Sequence, residues 1–199
     1  MSVAPLFRAL EQSLRCLPGV GPRSATRMAL HLLERDRERA AGLASALVDA
    51  LERLTHCNRC HNLTETQPCG ICRNPERETG VLCVVGSPGD ILAIEQSGLY
   101  TGQYYCLQGL LSPLEGLGPD EIGLPALFAR VQDERPSEVV IALASTVEGE
   151  ATTHQIVMQL KGQTRLTRLA QGVPVGGELD HIDATTLSQA LASRTELGR

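Results

Sequence analysis

Four of the seven cysteines fall in the order Cys57-x2-Cys60-x8-Cys69-x2-Cys72. Each C-x-x-C pair sets two thiolates on one side of a tight turn, and two such turns facing each other complete a tetrahedron around Zn2+. The residues between them, Asn58, Arg59, Asn62, Thr64, Glu65 and Gln67, are polar and cannot form a core around four ordinary buried thiols. A redox C-x-x-C needs one pair, not two. Four thiolates also leave no coordination position for water, so the expected site is structural rather than catalytic. Such a segment should unfold locally without its metal, because zinc binding by isolated fingers is worth about 10–16 kcal/mol of apparent free energy. His56 and His61 flank the cluster and are expected on the surface, while Cys16, Cys83 and Cys106 sit among apolar neighbours and are expected as small core residues.

A second pattern is Leu17-Pro18-Gly19-Val20-Gly21-Pro22, with Ser24 and Ala25 just beyond it. Gly19 and Gly21 permit a backbone turn that a Cβ is expected to obstruct. Pro22 suits the first position of a helix, where no N–H is needed. The turn would leave free N–H groups at a helix start, where the dipole also favours an anion such as a DNA phosphate. Arg23 and Arg27, four apart, fall on one face of that helix beside the turn. Ala25 is small enough for two helices to pack closely.

A third set is acidic. Asp90 follows the apolar run Val81–Val85, and Glu148 and Glu150 follow the apolar run that starts at Glu138. Carboxylates at strand ends of an α/β sheet can converge on Mg2+. They can equally form a solvated or partner-binding patch. Tyr100, Tyr104 and Tyr105 are present, but nothing in their context marks one as an activated nucleophile.

These residues need elements to hold them. Leucines spaced by four predict a helix over 4–14, a second is expected from Pro22 to about Leu33, and a third from Leu43 to Leu54. Continuous apolar runs predict buried strands at 81–85, 104–107, 138–143 and 165–169. Helices are expected around 91–95, 127–134 and 155–160, and 109–125 reads as a long ordered loop. Strands alternating with helices argue for a mostly parallel α/β sheet in the second half.

Composition narrows the function classes. Aromatics are 3% of 199 residues, with no tryptophan, which disfavours reading single-stranded bases by stacking. No run of about 18 apolar residues exists, so no membrane span is expected. The N-terminus lacks the pattern of a signal peptide, and paired cysteines without an export signal suit a reducing compartment. The net charge of −5 divides unevenly: 11 arginines against 9 acids in 1–79 give +2, and 7 basic against 14 acidic residues in 80–199 give −7. A chain of this polarity can meet phosphate with one end and a protein with the other.

The hairpin pattern resembles the helix-hairpin-helix element, which contacts the DNA backbone without reading sequence. The strand ends with Asp90, Glu148 and Glu150 resemble a Toprim domain. In that order around a four-cysteine element, and with Leu111-Ser112-Pro113-Leu114 and Gly172-Val173-Pro174-Val175-Gly176-Gly177-Glu178-Leu179, the chain resembles the bacterial RecR family of recombination mediators. The resemblance implies an α+β multi-module chain: a helical helix-hairpin-helix module at 1–55, a zinc element at 56–77, a Rossmann-like Toprim domain at 78–172 and a C-terminal extension at 173–199. It further implies a non-enzymatic DNA clamp in the bacterial cytoplasm and nucleoid, forming a homodimer or ring-like homotetramer on single- and double-stranded or gapped DNA. Such a clamp works with RecO, and in many bacteria RecF, to load RecA onto single-stranded gaps. Gly19, Gly21, Arg23 and Arg27 match the DNA-facing positions, and the acids match the RecO contact.

Three departures stand out. Gly86 occupies the place of the first-strand glutamate, Ala144-Ser145 replace Asn-Pro, and Arg23 replaces a lysine. The alternative reading is a Mg2+-dependent Toprim polynucleotide enzyme, in which Asp90, Glu148 and Glu150 hold the metal; the missing glutamate weakens it. The zinc element, at the passage from net basic to net acidic chain, is expected to staple the hairpin module against the α/β domain.

Overall fold

The computed structural model describes residues 4–170 and 172–194. The extreme ends of the expected first and last segments, and position 171 of the α/β segment, lie outside them. The chain divides into two compact units, one ending at Leu54 and one starting at Thr55.

The first unit is helical: α1 Pro5–Leu14, α2 Pro22–Glu34 and α3 Arg37–Arg53. Proline opens both α1 and α2, where its missing N–H costs nothing. Ala25 and Ala29 are fully buried on α2 and let α1 approach it closely. The Thr26 hydroxyl donates to Glu11 Oε1 at 2.8 Å, tying the two helices across that seam. The third helix begins six residues before the leucine stripe, at Arg37. Its first turns, Arg-Glu-Arg-Ala-Ala, are strong helix formers without an apolar face, so they carry propensity but no periodicity. Leu43, Leu47 and Leu51 on α3 stay exposed.

The second unit opens with the short antiparallel pair β1 Thr55–His56 and β2 Leu63–Thr64, then the single turn α4 Gly70–Arg73. Then come β3 Val81–Val85, α5 Pro88–Ser97, β4 Gln103–Cys106, α6 Leu124–Glu134, β5 Glu138–Ala142, α7 Val147–Leu160, β6 Arg165–Arg168 and, last, α8 Ala184–Ala192. Strands β4-β3-β5-β6 form one sheet in which every pairing is parallel. The four expected strands therefore stand within a residue or so of their apolar runs.

Alternating side chains sort into two cores. Leu82, Val84, Tyr105, Val139 and Ile141 face Leu127 and Val131 of α6 and Ile156 and Leu160 of α7. Cys83, Val85, Tyr104, Cys106 and Ala142 face the opposite way, toward Ile91 of α5 and the four paired cysteines. The 109–125 stretch is ordered as expected: its Leu111 N–H donates to Thr152 Oγ1 at 2.9 Å, Tyr105 donates to Gly123 O at 2.7 Å, and Ile122 is fully buried.

One charged pair sits at the sheet's margin. Arg77 bonds Glu95, whose other oxygen accepts from Tyr104 at 2.6 Å. Burial pushes the Glu95 carboxyl up, but the bonds from Arg77 and Tyr104 outweigh it and hold it below its ordinary 4.5. A depressed folded value means the stabilisation is fully present above pH 4.5 and drains as pH falls through the lowered value. Glu95→Gln should therefore cost about 2 kcal/mol near pH 7 and progressively less in acid, read as a gap between thermal midpoints that narrows as pH is lowered toward about 3. A gap of constant size would contradict this.

Candidate metal centre and nucleic-acid interface

The two C-x-x-C turns meet. The sulfurs of Cys57, Cys60, Cys69 and Cys72 all lie within 4.8 Å of one another, and all four residues are buried. Cys60 and Cys69 sulfurs are 3.5 Å apart. A tetrahedron with Zn–S bonds of about 2.3 Å has edges of about 3.8 Å, so the donor set fits zinc with little adjustment.

Local bonds set this geometry. The Cys57 N–H donates to Asn62 O at 2.8 Å and the His61 N–H to Cys57 O at 2.9 Å, which closes the first turn. Backbone N–H groups also donate to sulfur, Cys69 N to Cys57 Sγ and Cys72 N to Cys69 Sγ, the arrangement thiolates require. The Gln67 side chain bridges the loop, accepting from Asn58 N–H and donating to Thr55 Oγ1 and His56 O. A hydrogen bond from Cys72 and then others hold the Cys60 thiol down to about 5; the same contact pushes Cys72 up. Zinc would replace this shared proton and ionise all four.

The structure corrects two assignments. His61 is half-buried, not on the surface: it adopts φ 61°, and its ring lies 4.8 Å from that of Tyr105. Cys16 is exposed rather than core, just past the end of α1, whereas Cys83 and Cys106 are buried and their thiols pushed up to about 12 by burial and then Asp90.

Sequence reasoning missed the clamp that holds the cysteine element on the sheet. Arg130, nearly buried on α6, donates to Arg59 O at 2.9 Å, Tyr104 O at 2.8 Å and Gln103 Oε1 at 2.9 Å, and pairs with Glu134 at 3.1 Å. Arg59 pairs with the same Glu134 at 3.2 Å and donates to Cys72 O. Cys106 N–H donates to Cys60 O at 2.8 Å. A helix arginine carries no sequence mark that it is buried; only its place on the apolar face of α6, three residues after Leu127, hints at it.

At the hairpin, Gly19 has φ 76°, a left-handed conformation that favours glycine. Gly21 does not share it: its φ is −82°, and a Cβ on either glycine would meet nothing within 4 Å. The expected steric obstruction within the chain is therefore absent. Gly21 instead caps α2 without a side chain, so the Arg23 and Ser24 N–H groups donate to no group among the described residues. Arg23 and Arg27 are exposed and have no ion-pair or hydrogen-bond partner among the described residues.

The acids reach the carboxyl ends of β3 and β5, neighbours in the sheet, but do not join as a metal cluster among the described residues. Asp90 closes a capping box on α5, its Oδ2 accepting from Ser87 N–H at 2.8 Å and Ser87 Oγ at 3.0 Å. Glu150 takes Arg168 at 2.7 Å, and Glu148 is exposed in the first turn of α7. Gly149 between them is obligatory, because a Cβ there would lie 1.9 Å from Ala144 O. Gly86 is not: a Cβ would stand 3.5 Å from Asp90 Oδ2, an ordinary contact. The hydroxyls of Tyr100, Tyr104 and Tyr105 all donate hydrogen bonds, and burial pushes all three up, Tyr105 to about 12. No helix of the described residues is long and apolar enough to cross a membrane.

Four family descriptions match in order: RecR, helix-hairpin-helix, over 7–51; the RecR zinc finger domain of the four-cysteine kind over 54–74; Toprim domain over 80–170; and RecR, C-terminal, over 172–195. The four-cysteine centre is a structural zinc site.

Because the cysteines form part of the second core, chelation should loosen more than residues 57–72. Stripping zinc is expected to raise amide exchange in β4 and α5 and to change the near-ultraviolet dichroism of Tyr100 and Tyr104, whose rings lie 4.8 Å apart. Exchange confined to 57–72 would contradict it. Separately, Asp90→Ala, which removes the N3 carboxylate of the capping box and its bonds from Ser87, should cost about 1 kcal/mol of stability in urea unfolding; an unchanged midpoint would show that the Asp90 half of the box contributes nothing.

Proposed function

The chain belongs to the RecR family of recombination mediators in DNA repair, and on that premise we propose that it is a non-enzymatic clamp which binds DNA through the hairpin of its first unit. Gly19 supplies the turn, Gly21 leaves the Arg23 and Ser24 N–H groups open, and Arg23 and Arg27 supply charge to a phosphate held there. The observation that carries this reading is the pair of unpartnered arginines beside unsatisfied N–H groups at the start of α2, among the described residues. Contacts of this kind are to the backbone, so affinity is salt-dependent and indifferent to base order.

The clamp divides into a DNA-contact module at 1–55, a zinc element at 56–77, a Toprim-like domain at 78–172 and a C-terminal segment at 173–199. It closes round DNA as a homodimer or homotetramer, engages RecO, and RecF where present, through the acidic end that carries Asp90, Glu148 and Glu150, and helps load RecA on gapped DNA at the bacterial nucleoid. Support for a partner role over catalysis comes from the carboxylates themselves: Asp90 is committed to a helix cap and Glu150 to Arg168, which leaves the trio short of a Mg2+ shell.

Arg23→Ala/Arg27→Ala is expected to weaken binding to single- and double-stranded oligonucleotides alike, by roughly tenfold or more at low salt, with the fold intact by circular dichroism. Undiminished binding in a gel-shift titration would sink the reading.

A further inference from the structure

The arginines of this chain are used in two ways. In the second unit most are spent on the fold: Arg59 and Arg130 on Glu134, Arg77 on Glu95, Arg165 on Glu138, Arg168 on Glu150, with the exposed Arg135 an exception. On α3, Arg39 is paired with Asp36 at 3.6 Å, while Arg37 has no side-chain partner among the described residues. On α2 and its C-cap the unpaired arginines are gathered along one groove. Arg23, Arg27 and Arg35 have no side-chain partner among the described residues. All three line one groove of about 500 Å3 that runs along this helix, with His31 between Arg27 and Arg35 and Glu34 as its only acid. The lining positions recur at intervals of three and four, the signature of a single helix face.

We propose that α2 is a phosphate track along its whole length, in which Arg35 holds a second stretch of the DNA backbone that Arg23 and Arg27 hold at the other end. The proposal rests on the DNA-binding reading above. Twelve residues of helix advance about 18 Å, the axial rise of about five nucleotides of one strand. One phosphate therefore cannot occupy both ends, and the far end needs its own cation. The ends also differ electrically. At the start of α2 free N–H groups and the dipole attract an anion; at its close the dipole presents roughly half a negative charge, which would repel a phosphate. A full guanidinium charge at Arg35 outweighs that half charge, so a phosphate at this end depends on the cation alone, whereas at the start Arg23 and Arg27 act together with the open N–H groups.

The test is a salt series, reading the slope of log affinity against log salt for labelled single-stranded and duplex oligonucleotides by fluorescence anisotropy. Arg35→Ala should lower the magnitude of the slope by about 0.7 on the single strand and about 0.9 on the duplex, one phosphate contact's worth. Arg35→Lys should retain the slope, and Glu34→Gln should tighten binding at every salt concentration. Arg39→Ala, which removes an arginine that lies outside the groove, should leave the slope unchanged. A wild-type slope in Arg35→Ala, alongside a lowered slope in Arg23→Ala/Arg27→Ala, overturns the track and leaves the hairpin reading standing. An equal loss in Arg39→Ala overturns it too, since net charge would then explain the effect. If Arg23→Ala/Arg27→Ala also keeps the wild-type slope, the DNA-binding reading fails and the track with it.

Discussion

A parallel sheet cannot leave a face wet, because its strands are apolar on both sides. That constraint governs the second unit. One face of β4-β3-β5-β6 is closed by α6 and α7, but among the described residues the other has α5 and, within the cysteine element, the single turn α4. The four-cysteine element makes up the difference. Its thiol sulfurs are core atoms, packed with Val85, Ile91, Tyr104 and Cys106. Zinc thus does more than shape a loop: it converts a polar, sixteen-residue segment into a lid that a sheet face can be buried against.

A polar lid brings a cost that the sheet's edge must offset. Besides its thiols the loop presents backbone carbonyls to its support, and buried carbonyls need donors. Arg130 supplies them, with one guanidinium serving the zinc loop through Arg59 O and β4 through Tyr104 O and Gln103 Oε1. Lysine could not, since the planar fork fixes several acceptors at once. Glu134 then pairs with both Arg130 and Arg59, so the lid is held by a connected network rather than by isolated pairs.

What could be seen in the sequence follows from range. The cysteine pairs, the strands and the Pro22 helix start depend on residues a few positions apart, and a single sequence carries that information. Residues 37–42 lacked a stripe and so hid the start of α3, although their propensity was helical. His61 and Arg130 were hidden for a different reason: both are polar residues whose burial is decided by Tyr105 and by the zinc loop, far away along the chain. Gly21 shows the limit of a correct pattern read for the wrong cause. Within the chain a Cβ at this position would collide with nothing, and what the residue does locally is start α2 without a side-chain cap.

The acidic end illustrates why residue type alone does not make a metal site. Carboxylates bind Mg2+ when their oxygens are free and converge. Here the first turns of α5 and α7 compete for them. Asp90 gains two donors from Ser87, and the α5 dipole favours its charge at that position. Glu150 gains a guanidinium from β6. Gly86 contributes no oxygen, though its backbone and surroundings would accept a side chain at ordinary contact distance. The absent ligand is therefore a property of the sequence and not a requirement of the fold. Asp90 and Glu150 are satisfied by the protein, while the arginines of α2 are not, and an unsatisfied charge on a rigid helix is the feature that an outside polyanion can use.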